Sequence, residues 1–392
     1  MRAKKPLAGT SPAQFLREYW QKKPLLVRGA FPRLRPPLEP EELAGLALEE
    51  EVNSRIVRQH GPHGEPWHAA HGPFTEDDFA SLPETGWTLL VQEVNHHVPK
   101  VADLLTPFSF LPAWRLDDVM VSYAAEGGGV GPHTDSYDVF LIQAQGRRRW
   151  RIAPAGTGGE LVDGLDVQIL SDFQPTEEWV LEPGDMLYLP PGVPHDGEAV
   201  DGPCMTCSVG FRAPSVLDLL GCALTDAARR INPEARYTDP DLTPQKHPGW
   251  IGPEAVDKAR RILEQAILDP DTITGWFGQL MTEPRRGSPP DPELGPAPEE
   301  AAALLDSGQR LIRHPASRWA WSEPPGGPVL FVDGTAYPLP HRALGLATLL
   351  SGKDDLTRNA VLPFERVPEA RALLIDLIRT GALLPDEEEE DE

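Results

Sequence analysis

Two stretches decide the reading of this chain: GGGVGPHTDSYDVFLIQAQGRRRWRI at 127–152 and LEPGDMLYLPPGVPHDGEA at 181–199. The first carries His133 and Asp135, the second His195. Residues two apart on a strand face the same way, so His133 and Asp135 share a side and His195 must join them from a neighbouring strand. Two imidazoles and one carboxylate can occupy one face of a six-coordinate iron(II) and leave three positions for a bidentate acid and O2. Pro183-Gly184-Asp185 reads as a turn, Met186 to Leu189 as a short strand, and PPGVP as a stiff loop delivering His195. His-x-Asp alone recurs by chance; the second stretch separates a metal set from a stray histidine in a proline-rich turn.

The run GRRRWRI (146–152) supplies an anchor for such an acid. If Trp150 and Ile152 point into a barrel, strand parity places Arg148 inside with them and Arg147, Arg149 and Arg151 outside. A buried guanidinium needs a partner, and no acidic residue stands at an inward position nearby in sequence. A ligand carboxylate meets it bidentately, so Arg148 is expected to hold the far carboxylate of 2-oxoglutarate. A buried ion pair with a protein acid is the competing reading. Ser122 could donate to the same acid, as could Thr206 and Ser208, although local hydrogen bonds would serve these hydroxyls equally well. Tyr137 is placed at the wall of the substrate entrance, with core packing as its alternative.

Around these residues the chain reads as short strands punctuated by Gly and Pro. SRIVRQ, GWTLLVQEV, DDVMVSYAA, DVFLIQAQ, RRWRIA, DVQIL, EWVLEPG, DMLYLP and CMTCSVGF are strand-like, a rhythm that suggests an antiparallel barrel or double-sheet jelly roll. Ahead of them, FLREYW predicts a helix with Phe15, Leu16, Tyr19 and Trp20 on one face, closed at Lys23-Pro24 and followed by the strand LLVRG. EPEELAGLALEEE (39–51) predicts a second helix. HGPHGEPWHAAHG holds His60, His63, His68 and His71 without metal-site spacing and reads as a Gly/Pro-rich hairpin loop; His96-His97 reads as structural.

Beyond Ala213 the pattern turns helical. SVLDLLGCALTDAARRI and PEAVDKARRILEQAILD are helices, the second with Ala255, Ala259, Ile262, Ala266 and Ile267 at three- and four-residue spacing. TEPRRGSPPDPELGPAPEE (282–300) is a linker by composition. After it come a helix start at PEEAAALLDSG, a hairpin with an Asp333-Gly334 turn, and helices ending in ARALLIDLIRTGALLP, the ingredients of a winged helix. The end, DEEEEDE, is a like-charge run and predicts disorder.

Composition narrows the function classes. Across 392 residues, 60 acidic side chains face 36 basic ones, for a formal net charge of −24, which argues against nucleic-acid binding and suits either a basic partner or a solubility adaptation. No stretch is apolar enough to cross a bilayer, and no apolar run follows the basic start, so the cytoplasm is the default location. The three cysteines, Cys204, Cys207 and Cys222, make no disulfide framework. Cys204 and Cys207 have redox spacing, but three apart on a strand they face opposite ways.

In order and wording, FLREYWQKKPLLVRGAF, GGGVGPHTDSYDVFLIQAQGRRRW, LEPGDMLYLPPGVPHDGEA and SVGFRAPS resemble the JmjC-type 2-oxoglutarate oxygenases, and among them the bacterial ribosomal oxygenases. The resemblance spans nearly the whole chain. It implies an α+β protein: a double-stranded β-helix (cupin/JmjC jelly roll) catalytic domain over 1–213, a helical dimerisation region over 214–281, the linker, a C-terminal winged-helix-like domain over 301–385 and an acidic tail at 386–392. It implies Fe(II) on His133, Asp135 and His195, with 2-oxoglutarate held by Arg148 and Ser122 and O2 as the second cosubstrate. It also implies a homodimer that hydroxylates the β-carbon of an arginine in a basic large-subunit ribosomal protein, with no nucleic-acid or membrane partner. Eukaryotic relatives act on histidine instead, and the motifs alone do not choose between the two. A cupin-type isomerase on zinc or manganese, or a binding module, are the competing classes. One departure is Asp196-Gly197 after His195, where Glu-Gly is often found.

Overall fold

The structure is a computed structural model that describes residues 7, 9–61, 63–64, 66–284, 290–291, 294–352 and 355–386. Most of the acidic end (387–392) and parts of the Pro/Gly-rich stretch (285–289 and 292–293) lie outside the described residues. The chain divides into two compact units at Ala213/Pro214.

The first unit opens with α1 (Pro12–Glu18), β1 (Leu25–Val27), α2 (Pro40–Leu46), β2 (Ser54–His60), β3 (Pro66–His71), α3 (Glu76–Ala80), β4 (Trp87–Val91), α4 (Val94–His97) and α5 (Pro99–Ala102). It continues with β5 (Leu116–Ala124), β6 (Asp138–Ile152), β7 (Gly158–Leu161), β8 (Leu170–Asp172), β9 (Glu177–Leu181), β10 (Met186–Leu189) and β11 (His195–Phe211). Strands β1-β10-β6-β11-β5-β4-β2-β3 form one antiparallel sheet, β9 adds to the far half of β6, and β7–β8 stands apart as a small hairpin. This is the expected double-stranded β-helix type of fold.

DVFLIQAQ and RRWRIA are not separate strands. They are the two halves of β6, joined through Gly146 at φ +64°. A Cβ there would collide with Pro203 O and lie 2.9 Å from Cys204 Cα, so only glycine fits. Opposite it, the β11 register slips between Val200 and Thr206, and Gly146 marks a bulge. The bulge inverts parity along β6. Before it, Val139 and Leu141 face the inner cluster; after it, Trp150 and Ile152 do. The even residues Phe140, Ile142 and Ala144 of the first half face the other core, with Met186, Tyr188, Met205, Cys207 and Val209. Cys204 and Cys207 accordingly fall in different clusters, and burial pushes the Cys207 thiol up to about 12, an inert packing residue.

That second core is roofed by α1. Phe15 is fully buried, with the rings of Tyr19, Trp20, Phe110, Phe140 and Tyr188 around it. The helix differs from expectation at two points. It ends at Glu18, because Gln21 turns left-handed (φ +54°) and donates its N–H to the Tyr188 hydroxyl at 2.8 Å. Leu16 is 37% exposed, since a seven-residue helix buries a single row. The second predicted helix stops at Leu46 rather than 51; Ala47 O is taken by Phe74 N–H. DVQIL contributes only Leu170 to a strand. The histidine-rich stretch is not all loop: PWHAAH forms β3, paired with β2. His96 and His97 close the short helix α4.

The second unit holds α6 (Val216–Arg230), α7 (Pro253–Ile267), α8 (Pro270–Thr282), α9 (Pro298–Ser307), β12 (Leu311–Arg313), β13 (Trp319–Ser322), β14 (Val329–Val332) and β15 (Thr335–Pro338). It ends with α10 (Leu344–Gly352), β16 (Asp355–Leu356), α11 (Arg358–Glu365), α12 (Pro368–Arg379) and β17 (Leu383–Pro385). The residues LLP (383–385) form β17 rather than extending the last helix. Asp333 and Gly334 both have positive φ, the two-residue turn their sequence predicts. The helix α8, unread in the sequence, starts at an Asp269 cap with Pro270 behind it. It docks on the hairpin, where Gly278 leaves room for the Phe331 ring. The predicted face of α7 is not buried: the helix has no fully buried residue, and Ile262 is 42% exposed.

Candidate metal centre

His133 lies on the short segment before β6, and His195 opens β11. Their backbones form an isolated antiparallel bridge, His133 N–H to His195 O at 3.0 Å and His195 N–H to His133 O at 2.9 Å. The bridge sets the rings 4.2 Å apart between centroids. Gly192 N–H donates to Asp135 O at 2.8 Å and holds the third residue in place. Asp135 Oδ2 is 3.5 Å from His195 Nε2, and Oδ1 is 4.0 Å from His133 Nε2. Among the described residues, these three form the one group of His, Cys, Asp or Glu side chains whose ligand atoms all lie within 4.8 Å of each other.

Both imidazoles are oriented the same way. His133 Nδ1 donates to Gly131 O at 2.8 Å, and His195 Nδ1 donates to Val193 O at 2.9 Å. A carbonyl can only accept, so each Nδ1 carries the proton and each Nε2 turns its lone pair toward the common centre. Burial, and then the neighbouring His133, push the His195 imidazole down to about 4, so it is neutral at pH 7, as a ligand must be.

Arg148 is buried, on the inner side with Trp150 and Ile152. Its Nη1 donates to Ser122 Oγ at 3.1 Å and its Nη2 to Gly197 O at 3.2 Å; Nε has no partner. The guanidinium sits 5.0 Å from the Trp150 ring centroid. Among the described residues, no carboxylate pairs with it, whereas Arg147, Arg149 and Arg151 on the outer side bind Asp201, Glu178, Asp196 and Glu198. Gly197, noted in the sequence only as the residue after Asp196, has a structural role here. A side chain there would meet Trp150 Cζ3 at 2.7 Å and Arg148 Nε at 2.8 Å, so the glycine makes the seat for the guanidinium. Ser122 stands opposite Thr206 in register, and Met120 opposite Ser208. The Thr206 hydroxyl is already engaged, donating to Gln143 Oε1 at 3.1 Å.

Tyr137 is half-buried beside the centre, close enough to Asp135 to feel its charge. Burial, followed by the carboxylates of Asp135, Asp118 and Asp117, drives its hydroxyl far above the ordinary tyrosine range, so it stays protonated. Asp117 and Asp118 come from the start of β5. At Gly210 the space between strands is lined by Asp117 Cβ, Asp118 Oδ1 and Tyr137 Cε2, at 3.4, 3.6 and 3.8 Å from where a Cβ would stand. Neither aspartate stood out in the sequence, because DD before an apolar alternation looks like an ordinary strand edge. The histidines of β2 and β3 stay out of the centre; His68 instead pairs with Asp166 at 3.0 Å.

The JmjC domain model matches residues 103–219, and the ROXA-like winged helix model matches 263–384. The chain is 37% identical over 377 residues to the ribosomal protein uL16 3-hydroxylase of Escherichia coli, covering 94% of this chain and 95% of that protein. The chain belongs to the JmjC-type ribosomal oxygenases. A probable ribosomal oxygenase of Haemophilus influenzae is 39% identical over 278 residues, 69% of this chain and 68% of that protein. The crystal structure of E. coli YcfD superposes with a TM-score of 0.85 at 35% identity, over 96% of this chain and 98% of that one. The complex of YcfD with cobalt and 2-oxoglutarate superposes with a TM-score of 0.81 at 37% identity, over 95% and 98%. The ribosomal oxygenase described here thus pairs a JmjC domain with a C-terminal winged helix. Its triad of His133, Asp135 and His195 is that typical of Fe(II)- and 2-oxoglutarate-dependent dioxygenases.

Proposed function

We propose that this chain hydroxylates the β-carbon of an arginine in a large-subunit ribosomal protein, with Fe(II) on the triad and 2-oxoglutarate and O2 as cosubstrates. The observation that carries the oxygenase reading is Arg148, a buried guanidinium with a vacant Nε donor and no paired carboxylate among the described residues, beside Trp150, whose ring lies 5.9 Å from that of His195. A buried charge of this kind calls for an anion, and a dicarboxylate that chelates a metal nearby supplies one. When bound, the iron couples oxidative decarboxylation of 2-oxoglutarate to activation of O2. His133, Asp135 and His195 hold it on one face. Arg148 and Ser122 take the far carboxylate, while Trp150 and Gly197 keep the guanidinium aimed. Tyr137 stands beside the Asp135 carboxylate and walls the entrance. The protein contributes positioning more than acid–base chemistry.

The mouth favours arginine over a neutral side chain. Asp117 and Asp118 flank Gly210 together with Tyr137, and their charges, with that of Asp135, make a negative collar around its hydroxyl. A guanidinium fits such a collar through charge-assisted bonds. The likeness to a uL16 3-hydroxylase supports the ribosomal target, and the net charge of −24 favours encounter with a basic protein over nucleic acid. A ribosomal substrate places the reaction in the cytoplasm, and no described helix is long and apolar enough to cross a membrane. The helices of the second unit support a homodimer. Leu217, Leu220 and Leu224 on α6 are 77, 52 and 57% exposed, and Val256 and Leu263 on α7 are each 59% exposed.

Mass spectrometry of large-subunit proteins from cells with and without this enzyme tests the reading. One added oxygen on a single arginine, lost on deletion and restored by the active gene but not by an Asp135→Ala copy, is the expected result. A histidine mark, or no mark, overturns the arginine assignment.

A further inference from the structure

The orientation of His133 rests on one carbonyl, that of Gly131, and two side chains crowd the Cα of this glycine. Gly131 has φ +76°, and a Cβ on it would collide with Ile169 Cδ1 and lie 3.1 Å from both Cη2 and Cζ2 of Trp67. Ile169 precedes β8, and Trp67 sits on β3. Neither strand neighbours the segment 131–135 in the main sheet, so two distant elements close on the residue that accepts the His133 Nδ1 proton.

The two arms are tied together. His68, next to Trp67, pairs with Asp166 of the β7–β8 loop at 3.0 Å, and Ala69 N–H reaches the same oxygen at 3.4 Å. Leu170 N–H, next to Ile169, donates to Pro132 O at 2.8 Å, between Gly131 and His133. Trp67 holds a left-handed backbone at φ +53°, a conformation costly for an aromatic residue. Strain of that kind persists where the surroundings over-determine it, and here it delivers the indole against Gly131. His195 needs no such device; its acceptor, Val193 O, lies in the rigid PPGVP turn.

We propose that Trp67 is a positioning residue for the metal centre: with Ile169 it clamps Gly131, fixes the carbonyl that accepts from His133 Nδ1, and so holds His133 Nε2 toward the metal. The proposal rests on the triad binding a divalent metal. Partners that orient a ligating histidine typically affect metal affinity by about 10- to 100-fold.

Titration of the metal-free full-length chain with Co(II), followed by its visible absorption, tests the clamp. In Trp67→Ala the cobalt affinity should fall about tenfold or more, with an altered band shape, and Trp67→Phe should restore most of it. Ile169→Ala should reproduce the loss from the other arm and serves if Trp67→Ala does not fold. A core variant of α5, Val101→Ala, matched for loss of thermal stability, should bind cobalt as the parent does. Affinities of the clamp variants within about twofold of the parent, or an equal loss in Val101→Ala, overturn the proposal. If the parent itself fails to bind cobalt, the metal-centre reading falls with it.

Discussion

At the residue scale, each group in the centre is held by a neighbour that leaves it one free direction. The two histidines give their Nδ1 protons to carbonyls two residues back. Arg148 spends two donors on Ser122 and Gly197 and keeps Nε free. Under anaerobic conditions, Fe(II) and 2-oxoglutarate should produce the weak visible charge-transfer band of their chelate, and Arg148→Ala should abolish it at the same concentrations. Arg148→Lys should not restore it, because an ammonium lacks the planar fork. Absence of the band in the parent protein would count against the oxygenase assignment itself. At the mouth, Asp118→Asn should raise KM for the arginine-bearing peptide by about tenfold, roughly the value of one charge-assisted bond, while substrate-free consumption of 2-oxoglutarate stays near the parent rate. An unchanged KM would remove Asp118 from the collar.

At the element scale, β6 organises the domain. Its first half pairs with β10 and its second with β9, while β11 runs along both. The Gly146 bulge lets one strand place Val139 and Leu141 before it, and Arg148, Trp150 and Ile152 after it, on the same inner side. Without the bulge, strict alternation would carry Arg147 and Arg149 inward and turn Arg148 out to solvent. Gly146→Ala forces a left-handed alanine against Cys204 and should cost about 1–3 kcal/mol, read as a lower urea midpoint. It should also weaken 2-oxoglutarate binding, a loss that destabilisation elsewhere would not bring. The parity argument for Arg148 was legible from RRRWRI because it used only the residues after the bulge. The continuity of β6 was not, since a glycine in a strand pattern marks a turn or a bulge with the same letter. Likewise PWHAAH, rich in histidine and flanked by Gly and Pro, became a strand only through pairing with β2.

At the scale of the whole molecule, exposed apolar side chains concentrate on the stretch after the barrel. Most of the large hydrophobics that are more than half exposed fall between Val216 and Leu268. A helix such as α7 with no fully buried residue does not stabilise itself in water; its apolar face calls for a partner surface. A double variant, Leu220→Glu with Leu224→Glu, should convert a dimer to a monomer in sedimentation while the barrel keeps its cobalt-binding capacity. A parent protein that sediments as a monomer at micromolar concentration would end the homodimer assignment.

The sequence by itself determined what short-range rules can carry. The ligand types and spacing of His133, Asp135 and His195, the inward parity of Arg148, the change from strands to helices after Ala213, and the Asp333-Gly334 turn all depend on a few neighbouring residues. Tertiary structure alone decided what depends on closeness between distant segments. It set the His133–His195 bridge that converges the triad, brought Gly197 under the guanidinium and Asp117, Asp118 and Tyr137 around Gly210, and closed Trp67 and Ile169 on Gly131. Periodicity reports the side a residue faces, but which atoms meet across a sheet is fixed by register, bulges and packing, and these are settled only when the whole chain folds.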